Sequence, residues 1–148
     1  MSSPDVHPEL EALPQWPLRT VGVLATVGDG PHAIPISAPV RAGDRRILLS
    51  LHRDRGSLAR LRAEPRVALL ILAEGDLAFT AGGRAQVVAE PLPSAPEYVA
   101  IEIAVDRIDD HRQPAFRVEA GIDRSWIDES ERKALGQRVR ALEQLTRT

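Results

Sequence analysis

Tight-turn signals at regular intervals constrain the fold of this chain more than any other feature of its sequence. Three short stretches rich in glycine and aspartate, at 28–30, 42–44 and 74–76, separate short apolar segments. Pairs of glycine and aspartate favour the turns that join neighbouring antiparallel strands. Because apolar segments joined in this way form hairpins, the sequence predicts an antiparallel barrel or sandwich rather than a parallel α/β sheet.

The apolar segments predict six or seven strands. They alternate between apolar and polar residues or are rich in β-branched side chains, which pack well on a pleated surface. The predicted strands are 18–27, 32–41, 45–51, 67–73, 77–90 and 98–108, and 115–122 is a further candidate.

Three of these strands carry additional signals. Pro35 and Pro39 cannot donate to a ladder, so their strand is expected at an edge or with an irregularity. The continuous apolar run 67–73 predicts a strand buried on both faces. The pair Gly82-Gly83 inside a long strand predicts a bulge or a close approach of another backbone.

Helical spacing appears twice. A middle helix is predicted within 53–64, and Pro65 marks its end. A terminal helix is predicted over 128–145, with acidic residues in its first turn. Its apolar stripe consists of Leu135, Val139, Leu142 and Leu145.

The length of 148 residues predicts one domain, which we expect over 18–148. Residues 1–17 form a separate N-terminal tail, with a short helical turn expected around Glu9–Leu13. The tail has no apolar run, and the longest apolar run in the chain, 67–73, is too short to cross a bilayer. We therefore expect a cytoplasmic protein that does not bind a membrane.

Composition removes several classes of function. The chain has no cysteine, so disulfides, thiolate nucleophiles and cysteine metal sites are absent. A net charge of −2 argues against a nucleic-acid binder. No metal site is expected, because the four histidines lack the spacing of metal ligands. They are His7, His32, His52 and His111.

Several short motifs occur in a recognisable order between residues 21 and 90. They are Leu24-Ala25-Thr26-Val27, Pro31-His32, Pro35, Leu61-Arg62, Pro65-Arg66-Val67-Ala68-Leu69 and Gly83-Arg84-Ala85. In combination they resemble the pyridoxamine 5'-phosphate oxidase-like, FMN-binding split-barrel family. The resemblance implies a mainly β fold with minor α: a six- to seven-stranded antiparallel split barrel with a short middle helix and a C-terminal helix.

The resemblance also implies a homodimer that holds flavin mononucleotide (FMN), or a deazaflavin coenzyme, in a groove between its subunits. The strand that begins at His32 would run beside the isoalloxazine ring. The candidate ring contacts are His32, Pro35, Ile36 and Ser37. For His32, an ordinary position near the hairpin turn is an equally good interpretation.

The sequence departs from the family pattern where the cofactor phosphate is expected. Leu51 stands in place of the usual threonine, Arg55 in place of a serine and Ser57 in place of a lysine. Hydroxyl and basic side chains at the same place can compensate, because arginine binds phosphate well. These candidates are Ser50, His52, Arg53, Arg55, Ser57 and Arg60. Two interpretations stay open: a rewired phosphate clamp, which we favour, and a solvated helix start with weak surface ion pairs.

Two further features bear on the groove. Trp126 follows the last candidate strand, where it closes a pocket or, as we prefer, is a buried structural residue. A proline-rich connector at 91–96 stands where many family members insert a helix, which would leave the groove more open or remove a wall of the substrate site.

Three functional hypotheses follow. The first is an FMN- or deazaflavin-dependent oxidoreductase acting on a small organic substrate, in which the cofactor carries the chemistry. The second is a non-catalytic module that binds flavin or haem for storage or sensing. The third is a structural dimer without a cofactor. No side chain stands out as an acid or base, so the sequence names no catalytic residue.

Overall fold

The computed structural model describes residues 8–147, so His7 and the first seven residues of the predicted tail lie outside the described residues. Seven strands form one antiparallel sheet in the order β2-β1-β5-β6-β7-β4-β3. In chain order the elements are β1 Val21–Thr26, β2 His32–Ser37, β3 Val40–Arg41, β4 Arg46–His52, α1 Gly56–Ala63, β5 Arg66–Ala73, β6 Leu77–Ala89, β7 Tyr98–Asp110 and α2 Glu129–Leu145. The sheet curls into a half-barrel, which confirms the mainly β split-barrel prediction.

The split in the barrel lies beside β2. This strand pairs with β1 alone, from Thr26 opposite His32 to Val21 opposite Ser37. Its other edge approaches β4 without forming a ladder, because Pro35 has no N–H to donate. The chain then crosses to β3, which pairs with β4 at the opposite edge of the sheet. The edge position predicted from the prolines is confirmed.

The barrel interior is filled mainly by aliphatic side chains, together with Phe79, from every second strand position. Its largest fully buried members are Phe79, Leu24, Ile47, Leu49, Leu69, Ile71, Ile101, Ile103 and Ile108. β5 differs from the sequence prediction of burial on both faces. Its outward side chains Ala68 and Leu70 are half-buried, and Leu72 is 40% exposed.

The predicted irregularity at the paired glycines of β6 is confirmed. The register of β6 against β7 shifts between Gly82 and Gly83. A Cβ atom on Gly83 would lie 2.1 Å from the carbonyl oxygen of Ala104, so only glycine fits there. At Gly82 the nearest such atom is 4.0 Å away.

Helix α2 packs on the outside of the barrel. Asp128 caps its N-terminus, accepting a hydrogen bond from the backbone N–H of Ser130 at 2.9 Å. The predicted stripe is confirmed at three positions, while Leu145 is only partly buried. The second apolar cluster that this produces comprises Ala38, Val40, Leu48, Leu92, Ala100, Leu135, Val139, Ala141 and Leu142.

Two predicted elements are absent from the described residues. No helical turn forms around Glu9–Leu13; instead Leu10 donates its N–H to the carbonyl of Ile108 at 2.8 Å, and Leu13 donates to Asp44 at 2.8 Å. Backbone pairing with the barrel thus replaces local helical hydrogen bonds.

The candidate strand 115–122 is also not a strand. It belongs to an irregular segment, residues 111–128, which we call the strap and which runs over the barrel surface to α2. The strap is held by Asp76, whose N–H donates to the carbonyl of Val118 at 3.0 Å and whose carboxylate accepts from Val118 at 2.9 Å. Trp126 lies on the strap and is 40% exposed, so its predicted burial was wrong. Within residues 8–147, no helix has the length and apolar character needed to cross a membrane.

Candidate functional site

A cavity of about 350 Å³ lies in the split between β2 and β4. Ligand sites typically have volumes of roughly 300–1,000 Å³, so this cavity lies at the small end of the range. Its walls come from β2, the end of β4, the N-cap residue of α1, the start of β7 and α2. The lining residues are Ile34, Pro35, Ile36, Ser37, Ser50, Leu51, His52, Arg55, Tyr98, Leu135 and Arg138.

The turn from β4 into α1 positions the basic residues of the cavity. The N–H of Arg55 donates to the carbonyl of His52 at 2.9 Å, which folds the chain back on itself. Arg55 is therefore the N-cap residue of α1, and its side chain makes no capping hydrogen bond. Arg55 is exposed and its side chain lines the cavity.

The lining suits an anionic ligand with an apolar body. Arg55 and Arg138 contribute positive charge, and Ser37 and Ser50 contribute hydroxyl groups. Among the described residues that line the cavity, none is a carboxylate. The rest of the lining consists of aliphatic side chains and the rings of His52 and Tyr98, so a ligand with a ring and one anionic end matches the lining.

The ring of His52 is oriented by groups just outside the cavity. Its Nδ1 accepts a hydrogen bond from the backbone N–H of Asp54 at 3.1 Å. The neutral ring therefore carries its proton on Nε2, which lies 3.7 Å from the carboxylate of Glu97. His52 also meets the ring of Tyr98 edge-on, with the centroids 5.3 Å apart.

Arg138 reaches the cavity from α2. Its guanidinium stacks on the ring of Tyr98, with the central carbon 4.0 Å from the ring centroid. Its Nε is buried and has no hydrogen-bond partner among the described residues. Most buried hydrogen-bond donors in folded proteins have an acceptor, so this one is unusual. Since the chain itself buries Nε, an anionic ligand would reach this guanidinium through its terminal nitrogens.

Six of the ten predicted site residues line this cavity: Pro35, Ile36, Ser37, Ser50, His52 and Arg55. The structure places the other four elsewhere. His32 is exposed at the start of β2, and Arg53 is exposed in the turn before α1.

The other two, Ser57 and Arg60, are part of the packing of α1 against the barrel. Ser57 is buried, with 2% of its surface exposed, and does not line the cavity. Arg60 donates to the hydroxyl of Thr26 at 3.0 Å and to the carbonyl of Gly30, which fastens α1 to the first hairpin. Of the predicted basic residues, His52 and Arg55 thus line the cavity, whereas Arg60 stabilises the contact between α1 and the first hairpin.

Sequence reasoning missed three lining residues that matter chemically: Tyr98, Leu135 and Arg138. Leu135 was assigned to the apolar stripe of α2, and Arg138 follows it by three positions, close to the same face. The helix was predictable, but its packing beside the split was not, because the irregular strap determines where α2 begins.

A second cavity of about 250 Å³ lies beneath the strap. Three carboxylates line it, from Glu74, Glu119 and Asp123. This lining does not suit an anionic cofactor. Among residues 8–147, no group of three or more histidine, aspartate and glutamate side chains is arranged to hold a metal ion.

Comparison with solved structures finds the same fold in several proteins. General Stress Protein 26 from Bacillus anthracis is 22% identical, with a TM-score of 0.52, and the match covers 61% of this chain and 82% of that one. An F420 reductase is 15% identical, with a TM-score of 0.54, over 63% of this chain and 91% of that one. A FAD-binding protein from Mesorhizobium loti is 18% identical, with a TM-score of 0.50, over 60% of this chain and 83% of that one. No protein with a curated description matches significantly by sequence.

The family comparison covers most of the chain. Residues 7–120 match the family model described as pyridoxamine 5'-phosphate oxidase. The match spans all seven strands and α1, and it contains every cavity-lining residue except Leu135 and Arg138, which lie on α2. The chain therefore belongs to the pyridoxamine 5'-phosphate oxidase family.

Proposed function

We propose that this protein is an oxidoreductase that uses FMN or a deazaflavin coenzyme to transfer a hydride to or from a small organic substrate. The cofactor would lie in the cavity between β2 and β4, and the active form would be a homodimer. The observation that carries the proposal is the lining itself. It combines aliphatic side chains with two arginines, two serine hydroxyls and the rings of His52 and Tyr98, and the described lining residues include no carboxylate.

The chain would hold and orient the cofactor, and the bound flavin or deazaflavin would supply the hydride chemistry. Arg55 and Arg138 are suited to the anionic end of such a molecule, because guanidinium groups donate two parallel hydrogen bonds to phosphate. Ser37 and Ser50 add neutral donors. The apolar side chains Ile36 and Leu135 are suited to the ring system and would keep water from it.

The fold-level likenesses agree with this choice. One similar structure is named an F420 reductase and another a FAD-binding protein. Both names belong to those proteins, and at their low identities they support the fold rather than the ligand. We extend flavin-type binding to this chain on the chemistry of its own cavity.

The outer face of β2, β1 and β5 supports a homodimer. Registers place Pro35 opposite Val23, and Val23 opposite Leu70, on this face. Ala33, Ala25 and Ala68 form a second row in the same way. An antiparallel face turned to water usually carries polar residues, so an uncharged face suggests a protein partner. Pro35 belongs both to this face and to the cavity, so a second copy on the face would stand next to the ligand.

A second candidate is a binding module without turnover, holding flavin or haem. It is favoured by the position of two residues where the resemblance predicts phosphate ligands. Ser57 is buried in α1, and Leu51 offers only an apolar side chain. A weakened grip on the cofactor phosphate would suit a carrier or sensor better than an enzyme that retains its cofactor.

Titration of the full-length protein with FMN, coenzyme F420 and haem tests the site. We expect quenching of flavin or deazaflavin fluorescence with saturation at one ligand per chain. Reduction of the bound cofactor by a nicotinamide donor, followed by reoxidation with repeated turnover, would support the enzyme. Saturable binding without turnover would favour the binding module. No binding of any of the three at millimolar concentration would reject both.

The dimer has its own test. Light scattering after size-exclusion chromatography should give twice the chain mass, and Leu70→Glu on the outer face should give the monomer mass. Leu18→Glu is the control, because Leu18 is exposed and lies outside that face. A monomeric wild-type protein would overturn the dimer.

A further inference from the structure

One wall of the cavity comes from an element outside the barrel. Arg138 lies on α2, which contacts the barrel through the apolar cluster around Leu135, Val139 and Leu142 and through the stack of Arg138 on Tyr98. Residue 138 also lies beyond the part of the chain that matches the family model. The family match therefore does not account for Arg138, and its role is argued from the contacts of this chain.

The surroundings of Arg138 prepare it for an anion. The stack on Tyr98 fixes the plane of the guanidinium, so little side-chain freedom remains to be lost on binding. The buried Nε–H has no acceptor among the described residues. Because the chain itself buries Nε, an anionic oxygen in the cavity would meet the terminal nitrogens of the guanidinium.

Arg55 reaches the same cavity from the barrel side. It precedes α1, whereas Arg138 belongs to α2, and no carboxylate among the described lining residues stands between them. Two like charges that share a site repel one another unless an anion neutralises them. A bound anionic group would therefore attract both helices toward one point.

We infer that Arg138 is the anchor for the anionic group of the ligand, and that the bound anion ties α2 to the barrel by bridging Arg138 and Arg55. Where the ligand is the phosphate-bearing cofactor, this inference rests on the proposed function. Its consequence is regulatory: an occupied cavity holds α2 in place more firmly, and an empty one leaves α2 with its apolar contacts and the stack on Tyr98.

The test compares FMN with riboflavin, which has the same ring system without the phosphate. Arg138→Met should weaken FMN binding about tenfold or more, the usual effect of losing a charge-assisted hydrogen bond. Riboflavin binding should change less than twofold. Arg138→Lys keeps the charge but loses Nε, and should lie between Met and wild type. Arg140→Met is the matched control on the same helix, because Arg140 does not line this cavity. It should bind FMN as the wild type does.

Hydrogen exchange supplies a readout that does not depend on activity. FMN should slow amide exchange in residues 129–145 of the wild type and of Arg140→Met, but not of Arg138→Met. Equal FMN affinity in Arg138→Met and wild type, or exchange in α2 that FMN leaves unchanged, would overturn the inference.

Inorganic phosphate separates this inference from the proposed function. If the wild type binds no flavin or deazaflavin but phosphate still slows exchange in α2 in an Arg138-dependent way, the proposed function fails and the anion anchor stands. If phosphate also has no effect on α2, both fail. Circular dichroism of each variant verifies the fold, and Arg138→Lys serves in place of Arg138→Met if the latter does not fold.

Discussion

The guanidinium of Arg138 stacks on the ring of Tyr98 at 4.0 Å, joining the exterior helix α2 to the first residue of β7. Cation–π contacts contribute about 0.5–1 kcal/mol where exposed and about 2 kcal/mol where desolvated. The same Tyr98 ring meets the ring of His52 edge-on. Tyr98 therefore connects α2 with the end of β4 at the rim of the cavity.

The first prediction measures this contact by a double-mutant cycle. Tyr98→Leu and Arg138→Met should each lower the free energy of unfolding, and the double variant should lose less than the sum. We expect a coupling energy of about 0.5–2 kcal/mol from urea denaturation. Tyr98→Phe is the control, since it keeps the aromatic face and should keep most of the coupling. Additive losses would mean that the stack does not stabilise the fold.

The second prediction distinguishes Arg55, which lines the cavity, from its basic neighbour Arg53, which does not. Arg55→Ala should weaken FMN binding about five- to tenfold, because Arg55 lines the cavity. Arg53→Ala, two positions earlier and outside the lining, should leave the affinity unchanged. Fluorescence titration of both variants makes the comparison. Equal losses would indicate that long-range charge rather than contact attracts the ligand.

Arg60 should behave in the opposite way. Its hydrogen bonds to Thr26 and Gly30 fasten α1 to the first hairpin, so Arg60→Met should lower the free energy of unfolding by about 1–2 kcal/mol. FMN affinity should be unchanged when measured well below the melting temperature. A loss of FMN affinity with unchanged stability would instead indicate that Arg60 binds the cofactor phosphate.

The barrel was predictable because its signals are local. Each turn and alternating segment specifies a strand without reference to the rest of the chain, and Pro35 alone indicates that β2 lies at an edge, because proline has no N–H to donate. The middle helix and its stop at Pro65 were predictable for the same reason.

What could not be predicted depends on distant pairing. The segment around Leu10 forms hydrogen bonds with Ile108, and Gly121 of the strap lies against the carbonyl of Leu72. Both segments resemble elements of regular structure when read alone. The strap determines where α2 begins and therefore where Arg138 lies. No local pattern near residue 138 indicates that this residue lines the cavity.

The fourth prediction concerns the paired glycines of β6. Gly83→Ala would bring a Cβ atom to 2.1 Å from the Ala104 carbonyl oxygen, so the strands must separate. We expect a loss of about 2–4 kcal/mol in the free energy of unfolding, a typical cost of forced overpacking. Gly82→Ala is the matched control, with its nearest contact at 4.0 Å, and should change stability by less than about 1 kcal/mol. Similar losses of stability at both positions would mean that β6 needs these glycines for backbone flexibility rather than for the close approach of β7.

The last prediction follows from the cap of α2. The pKa of Asp128 is held below its usual value by hydrogen bonds from the Ser130 hydroxyl and backbone N–H. A carboxyl whose pKa is lower in the folded state stabilises the fold above its unfolded pKa of about 3.9, and this contribution is lost as the pH falls through the folded value. Asp128→Ala should therefore lower the melting temperature by about 2–4 °C at pH 7, and the difference should narrow below about pH 4. Asp106→Ala, at an exposed position of β7, is the control and should change the melting temperature little. A difference for Asp128→Ala that stays constant down to pH 2.5 would mean that the ionised cap does not stabilise α2.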